Sequence, residues 1–191
     1  MKISHACLFS LAAPLTLACS SSSATTSDAG HSTSPVDGGV TGGGDASDDA
    51  PPPCNSLAAS APVVNYSLSN DGTPAAQTGG TIADGTYYLT SYTIYGAGSV
   101  GGGFTADQAT SLTVQVSGQT WNQIQVFQIE GTTATVTTNY ALSTTTSSLS
   151  LTPSCPAGAD PVSGTFTATA TDLQVVTSTG GFTLSEVFAK Q

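Results

Sequence analysis

Glu186 combines a reactive side chain with an apolar setting. It shares strand parity with Phe182, Leu184 and Phe188, while Thr183, Ser185 and Ala189 occupy the other face, so a regular strand aims its carboxylate inward. Two readings follow: a polar anchor within a ligand cavity, with a raised pKa, or a solvated carboxylate near the rim of the domain. Trp121, Gln123, Gln125, Phe127 and Ile129 form one face of another run, and Asn122, Ile124, Val126 and Gln128 the other. Rings beside amides suit a sugar, whose apolar face stacks while its hydroxyls find partners; they equally suit an ordinary strand with a half-polar face. Tyr87, Tyr88, Tyr92 and Tyr95 invite the same two readings, and Tyr88 and Tyr92 join Glu186 and Trp121 as candidate ligand contacts.

Catalytic constellations are harder to assemble. The two histidines, His5 and His31, both lie near the N-terminus, away from the strand-rich remainder, so neither a Ser-His-Asp triad, a Cys-His pair nor a histidine metal site is expected there. The other carboxylates of residues 54–191, Asp71, Asp84, Asp107, Glu130, Asp160 and Asp172, fall mostly in turn sequences such as Asp84-Gly85 and Asp160-Pro161, where they are expected to bond local backbone rather than face one another across a cleft. Gly96-Ala97-Gly98-Ser99-Val100-Gly101 fits the dinucleotide pattern by letter, but glycine continues to Gly103 and no βαβ unit surrounds it, so it reads as a flexible connection. Asp45, Asp48 and Asp49 match neither an EF-hand nor a nonapeptide calcium repeat. Neither an enzyme, a cofactor nor a resident metal is expected.

These side chains must be positioned by strands. Runs at 86–95, 110–117, 120–129, 133–141, 147–152, 165–170, 172–177 and 182–189 alternate apolar and polar residues, eight in all, separated by Gly118-Gln119, Gly131-Thr132, Asp160-Pro161 with Gly164, and Gly180-Gly181. Short connections predict an antiparallel up-and-down meander, and eight strands is a number that closes into a barrel with a filled or ligand-sized interior. A β-sandwich remains the alternative. The run 63–69 is a candidate for a further short strand covering an end of the barrel.

The chain has 191 residues, 12 acidic and 2 basic, with 7% charged in total. Lys2 and Lys190 are its only cations, so no surface exists to neutralise a row of phosphates, and nucleic acid is excluded as a partner. No segment approaches the roughly 20 apolar residues of a spanning helix.

At the N-terminus, Lys2 precedes an apolar stretch at 6–17 interrupted by Pro14, the layout of an export signal. Leu15-Thr16-Leu17-Ala18-Cys19 resembles the bacterial lipobox. The resemblance implies cleavage after Ala18, removal of residues 1–18, and lipidation of Cys19; several acyl chains hold stably because each buried methylene contributes about 0.8 kcal/mol. Ser20 in place of an inner-membrane retention aspartate implies the outer membrane. Residues 19–53 then read as a lipidated cysteine and a disordered Ser/Gly/Asp/Pro tether, spanning roughly 30 Å, before a domain at 54–191.

With Cys7 leaving with the signal and Cys19 lipidated, Cys54 and Cys155 remain as an even pair in an oxidising compartment, and a disulfide is expected between them. The block Asp84-Gly85-Thr86-Tyr87-Tyr88-Leu89-Thr90-Ser91 and the closing residues 182–191 resemble lipoproteins of myxobacteria with Asp-Ala-Gly-rich tethers and small lipocalin-like β domains. In lipocalin-like barrels a lid lies between the first two strands, where this chain has its longest connection, 96–109. The expected function is a lipid-anchored envelope protein whose barrel binds a small apolar ligand; the alternative is a non-catalytic interaction module contacting polysaccharide through Trp121 and neighbouring amides, or protein.

Overall fold

Thr, Val, Tyr, Leu, Ile and Phe fill the runs between turn residues, and their branched or flat side chains suit a pleated surface. In a computed structural model, which describes residues 52–70, 72–96, 105, 107–179 and 181–191, they form nine strands and no helix. Cys19, the segment up to residue 51 that was expected as signal and tether, and most of the glycine-rich connection lie outside the described residues. The strands are β1 (Val64–Ser69), β2 (Gly85–Tyr95), β3 (Ala109–Ser117), β4 (Thr120–Ile129), β5 (Thr132–Thr145), β6 (Ser148–Cys155), β7 (Val162–Ala168), β8 (Asp172–Thr179) and β9 (Phe182–Lys190).

From β2 to β9 each strand pairs antiparallel with the next, and β9 returns to β2, with Tyr87 opposite Lys190 and Tyr95 opposite Thr183. The sheet is therefore a closed barrel, not a sandwich of two sheets. The expected strictly antiparallel, eight-stranded wall is corrected by β1. β2 and β3 pair directly only between Gly85–Tyr88 and Thr113–Val116; beyond that β1 enters between them, parallel to β2 (Tyr66 opposite Tyr92) and antiparallel to β3 (Val64 opposite Thr110). It belongs to the wall rather than covering an end, because the diverging strands leave backbone groups that a third strand can satisfy. The return from β1 to β2 passes β7, where Gly79 donates to Phe166 O at 2.8 Å and accepts from Ala168 N at 2.9 Å. Gly79 has φ 78°, and a Cβ there would run into the Thr146 carbonyl, so a side chain is excluded by both conformation and space.

Tight turns set the register of the hairpins. Glu130 and Gly131 have φ 49° and 77°, the paired positive values of a turn whose twist matches the strands it joins. This turn sits one residue before the Gly131-Thr132 position expected from sequence. On β2 the register against β9 shifts between Leu89 and Ser91, leaving Thr90 as the extra residue of a bulge; its hydroxyl donates to Val187 O at 3.0 Å.

The expected disulfide is present: Cys54 and Cys155 are bonded with Cα atoms 5.5 Å apart across 101 residues of sequence. The segment that follows Cys54 lies on the outside of the wall. Asn139 Nδ2 donates to Cys54 O at 2.6 Å, Asn55 Nδ2 donates to Asn139 Oδ1 at 2.7 Å and to Gln123 O at 3.1 Å, and Ser60 N and Ala61 N both donate to Thr113 Oγ1. That strap buries the outward side chains Ser111 and Thr113 of β3, whose inward positions are Thr110, Leu112, Val114 and Val116. Within the barrel, Tyr87, Leu89, Val114, Val116, Tyr140, Leu149, Phe166, Leu173 and Phe188 are nearly or wholly withdrawn from solvent.

Candidate functional site

Alternation along β9 carries Glu186 inward between Leu184 and Phe188, opposite Tyr92 of β2 and Val175 of β8. There it borders a cavity of about 40 Å3 whose polar lining comes from Gln123 and Gln125 of β4, Thr177 of β8 and Glu186 itself, and whose apolar lining includes Leu112, Trp121, Tyr140 and Leu184. One water needs roughly 10–15 Å3 of such volume, so there is space for about three.

The walls are ordered by short polar contacts. Trp121 Nε1 donates to Gln123 Oε1 at 2.9 Å, and the indole meets the Phe188 ring edge-on at 6.2 Å and 89°. Gln125 Nε2 donates to Thr110 Oγ1 at 3.2 Å, which spends an amide hydrogen and leaves its carbonyl oxygen as an acceptor. Tyr66 of β1 stacks on Tyr92 with ring centroids 4.6 Å apart, and the buried Tyr66 hydroxyl has no hydrogen-bond partner among the described residues.

No described group donates a hydrogen bond to the Glu186 carboxyl, and no cation compensates it; Lys190, the one cationic side chain of the described residues, lays its stem over Gly85. Glu186 keeps some accessible surface and lines the cavity. Desolvation raises its pKa from 4.5 to about 7. The same field reaches the neighbouring phenols. Burial, with Glu186 adding to it, pushes Tyr66 up to about 12 and Tyr92 well above its ordinary value. Tyr140 rises through burial, offset in part by the Thr138 hydroxyl, with Glu186 again contributing.

The residues singled out from sequence thus separate. Glu186 and Trp121 line the cavity, and Tyr92 lies behind it, buried against Tyr66. Trp121 is 3% exposed, so its ring is not offered to a polysaccharide at the surface. Tyr88 stands on the other face of β2, half-buried, because inward Tyr87 and Leu89 flank it. Tyr66, Tyr140 and Thr110 were not legible as site residues: Tyr66 required knowing that β1 joins the wall, and Tyr140 and Thr110 required the register of β5 and β3 against β4. Two turn carboxylates depart from the local backbone bonding expected of them: Asp84 Oδ1 accepts from Gly118 N of the β3–β4 turn at 2.7 Å, and Asp172 Oδ2 accepts from the neighbouring side-chain hydroxyl, Thr171 Oγ1, at 2.6 Å.

Among the described residues no group of three or more His, Cys, Asp or Glu is placed to hold a metal ion. What the fold and the cavity define is a closed mixed β-barrel with one inward carboxylate. No protein-family model matches the chain, and no curated protein is detectably similar to it.

Proposed function

We propose that this protein is a lipid-anchored component of the bacterial cell envelope, held at the outer membrane through Cys19, whose barrel is a non-catalytic domain that binds a small ligand at Glu186. The observation that carries this reading is a carboxylate that has neither donor nor counter-charge among the described residues and faces a small cavity lined by two amides and a hydroxyl among aliphatic and aromatic side chains. A lipocalin-type apolar ligand would need some 300 Å3 or more. The volume of about 40 Å3 and the amide lining favour instead a polar ligand of a few heavy atoms. Native followed by denaturing mass spectrometry of the protein from its envelope tests both parts. Acylation mass on Cys19, lost in C19S, supports the anchor, and a small adduct retained by wild type and absent from E186Q supports the site.

The small size of the cavity also favours a second reading, in which the outer wall contacts an envelope partner. It would run through outward residues such as Tyr88, since Trp121 is enclosed. A protein without adduct whose envelope crosslinks are lost on replacing Tyr88 would support it.

A further inference from the structure

The ligand that suits this cavity can be narrowed by its charge and donors. Resting on the small-ligand reading above, we propose that the barrel interior is a site for a small monocation of the ammonium type, with Glu186 as its counter-ion and Gln123, Gln125, Trp121 and Tyr140 as its cage.

The polar groups around the cavity that Glu186 lines are two amides, a hydroxyl and a phenol, set among an indole and aliphatic side chains. β4 presents Gln123 Oε1, which takes one hydrogen bond from Trp121 and retains a second lone pair, and Gln125, whose amide nitrogen is engaged by Thr110. The titratable groups that sense Glu186 are phenols, Tyr66 from β1, Tyr92 from β2 and Tyr140 from β5; β8 contributes only the neutral Val175 and Thr177. None brings a positive charge, and the described chain has no cation to spare, because Lys190 lies over Gly85. An ionised Glu186 in this setting therefore lacks compensation from the protein.

A single positive charge is what one carboxylate can match. A divalent ion would want more carboxylate or imidazole ligands than the described residues supply. An anion would meet Glu186 head-on, and an apolar molecule would leave the carboxylate and amides unsatisfied. An ammonium group donates up to four hydrogen bonds, for which the oxygens of Glu186, Gln123 and Gln125 are acceptors, and the Trp121 and Tyr140 rings stand at the same wall, where an aromatic face would attract the cation. A volume of about 40 Å3 accommodates ammonium or methylammonium in place of the waters it would displace.

The test is thermal unfolding of the full chain in detergent at pH 8 and pH 5, with added ammonium, methylammonium or potassium chloride. Ionic strength is matched throughout with tetraethylammonium chloride, which is too large for the cavity. The expected result is a saturable rise in Tm with ammonium and methylammonium at pH 8, absent at pH 5 where Glu186 is protonated. Affinity should fall at least roughly tenfold in E186Q, the loss expected when one partner of a buried charge pair goes. Stabilisation by potassium alone would retain the monocation and overturn the protic, aromatic part of the assignment. No stabilisation beyond tetraethylammonium, or equal stabilisation of E186Q, overturns the inference. Acetamide, a neutral solute of similar size, separates the two levels: Glu186-dependent stabilisation by acetamide without any by the cations leaves the small-ligand reading standing and removes the charge, whereas no effect of either removes both.

Discussion

Two residues apart on β9, Phe188 and Glu186 occupy neighbouring layers of one barrel and meet opposite surroundings. Phe188 faces Leu89 and Leu173 in register, all three wholly withdrawn from solvent, with the Trp121 ring against its edge. Glu186 faces Tyr92 and Val175, and beyond them a cavity edged with amides. The first layer is complete by itself, since hydrocarbon needs only contact. The second is not: its carboxyl must find a proton, water or a ligand, because the described residues supply neither donor nor cation. The difference separates a layer whose packing is sufficient to itself from one whose carboxyl depends on its protonation state or on what fills the cavity.

Breaking the frame common to both layers should have the largest effect. Replacing Cys54 and Cys155 by serine opens a loop of 101 residues and should lower unfolding free energy by on the order of 4–5 kcal/mol, read by denaturant titration. Because the bridge lies outside the barrel interior, the pH dependence should survive. Next, Phe188→Ala strikes the dry layer and should destabilise by about 3–5 kcal/mol at any pH between 4 and 8, the expected range for emptying a packed aromatic site. A loss confined to high pH would show that the two layers are not distinct.

The wet layer should reveal itself by titration. A folded-state pKa raised from 4.5 to about 7 means the ionised form is disfavoured on folding. The contribution is fully present below pH 4.5 and is lost as pH rises through about 7, a decline of roughly 3 kcal/mol. Glu186→Gln should flatten that slope while leaving the barrel's circular dichroism intact; an unchanged slope would place the titrating group elsewhere. The smallest effect is expected from Tyr66→Phe. Its buried hydroxyl has no partner among the described residues, so removal should be neutral or stabilising by up to about 1 kcal/mol, and a destabilisation would show that the hydroxyl is bonded in the folded protein.

Much of the architecture could be read in advance where local rules act alone. Residues 120–129 were expected as a strand and form β4 with those bounds, because Gly118-Gln119 and the Glu130-Gly131 turn frame an uninterrupted alternation. Glu186 was expected inward for the same reason: β9 is regular from Phe182 onward, so parity counted from its aromatic residues holds. The bulge at Thr90 defeated the same count on β2. Strict alternation puts Tyr88 and Tyr92 on one face, but the extra residue sends Tyr92 inside and leaves Tyr88 on the outer face. β1 was missed as a wall strand since its partners, Tyr92 and Thr110, lie 26 and 46 residues away by pairing from Tyr66 and Val64, and nothing local specifies a parallel neighbour.

The sequence by itself determined the eight strands of the meander, most of their turns and the inward parity of Glu186, because each depends on side-chain periodicity or turn chemistry; the pairing of Cys54 with Cys155 followed once Cys7 and Cys19 were set apart by the export-signal and lipobox resemblance. Only the tertiary structure decided that the ring closes β9 onto β2, that β1 enters between β2 and β3, and that Gln123, Gln125, Trp121 and Tyr140 meet Glu186 around one small cavity. Those are contacts between residues far apart in the chain. They are set by where strands diverge and bulge, and hydrogen-bonded backbone demands a partner there whatever the local pattern says.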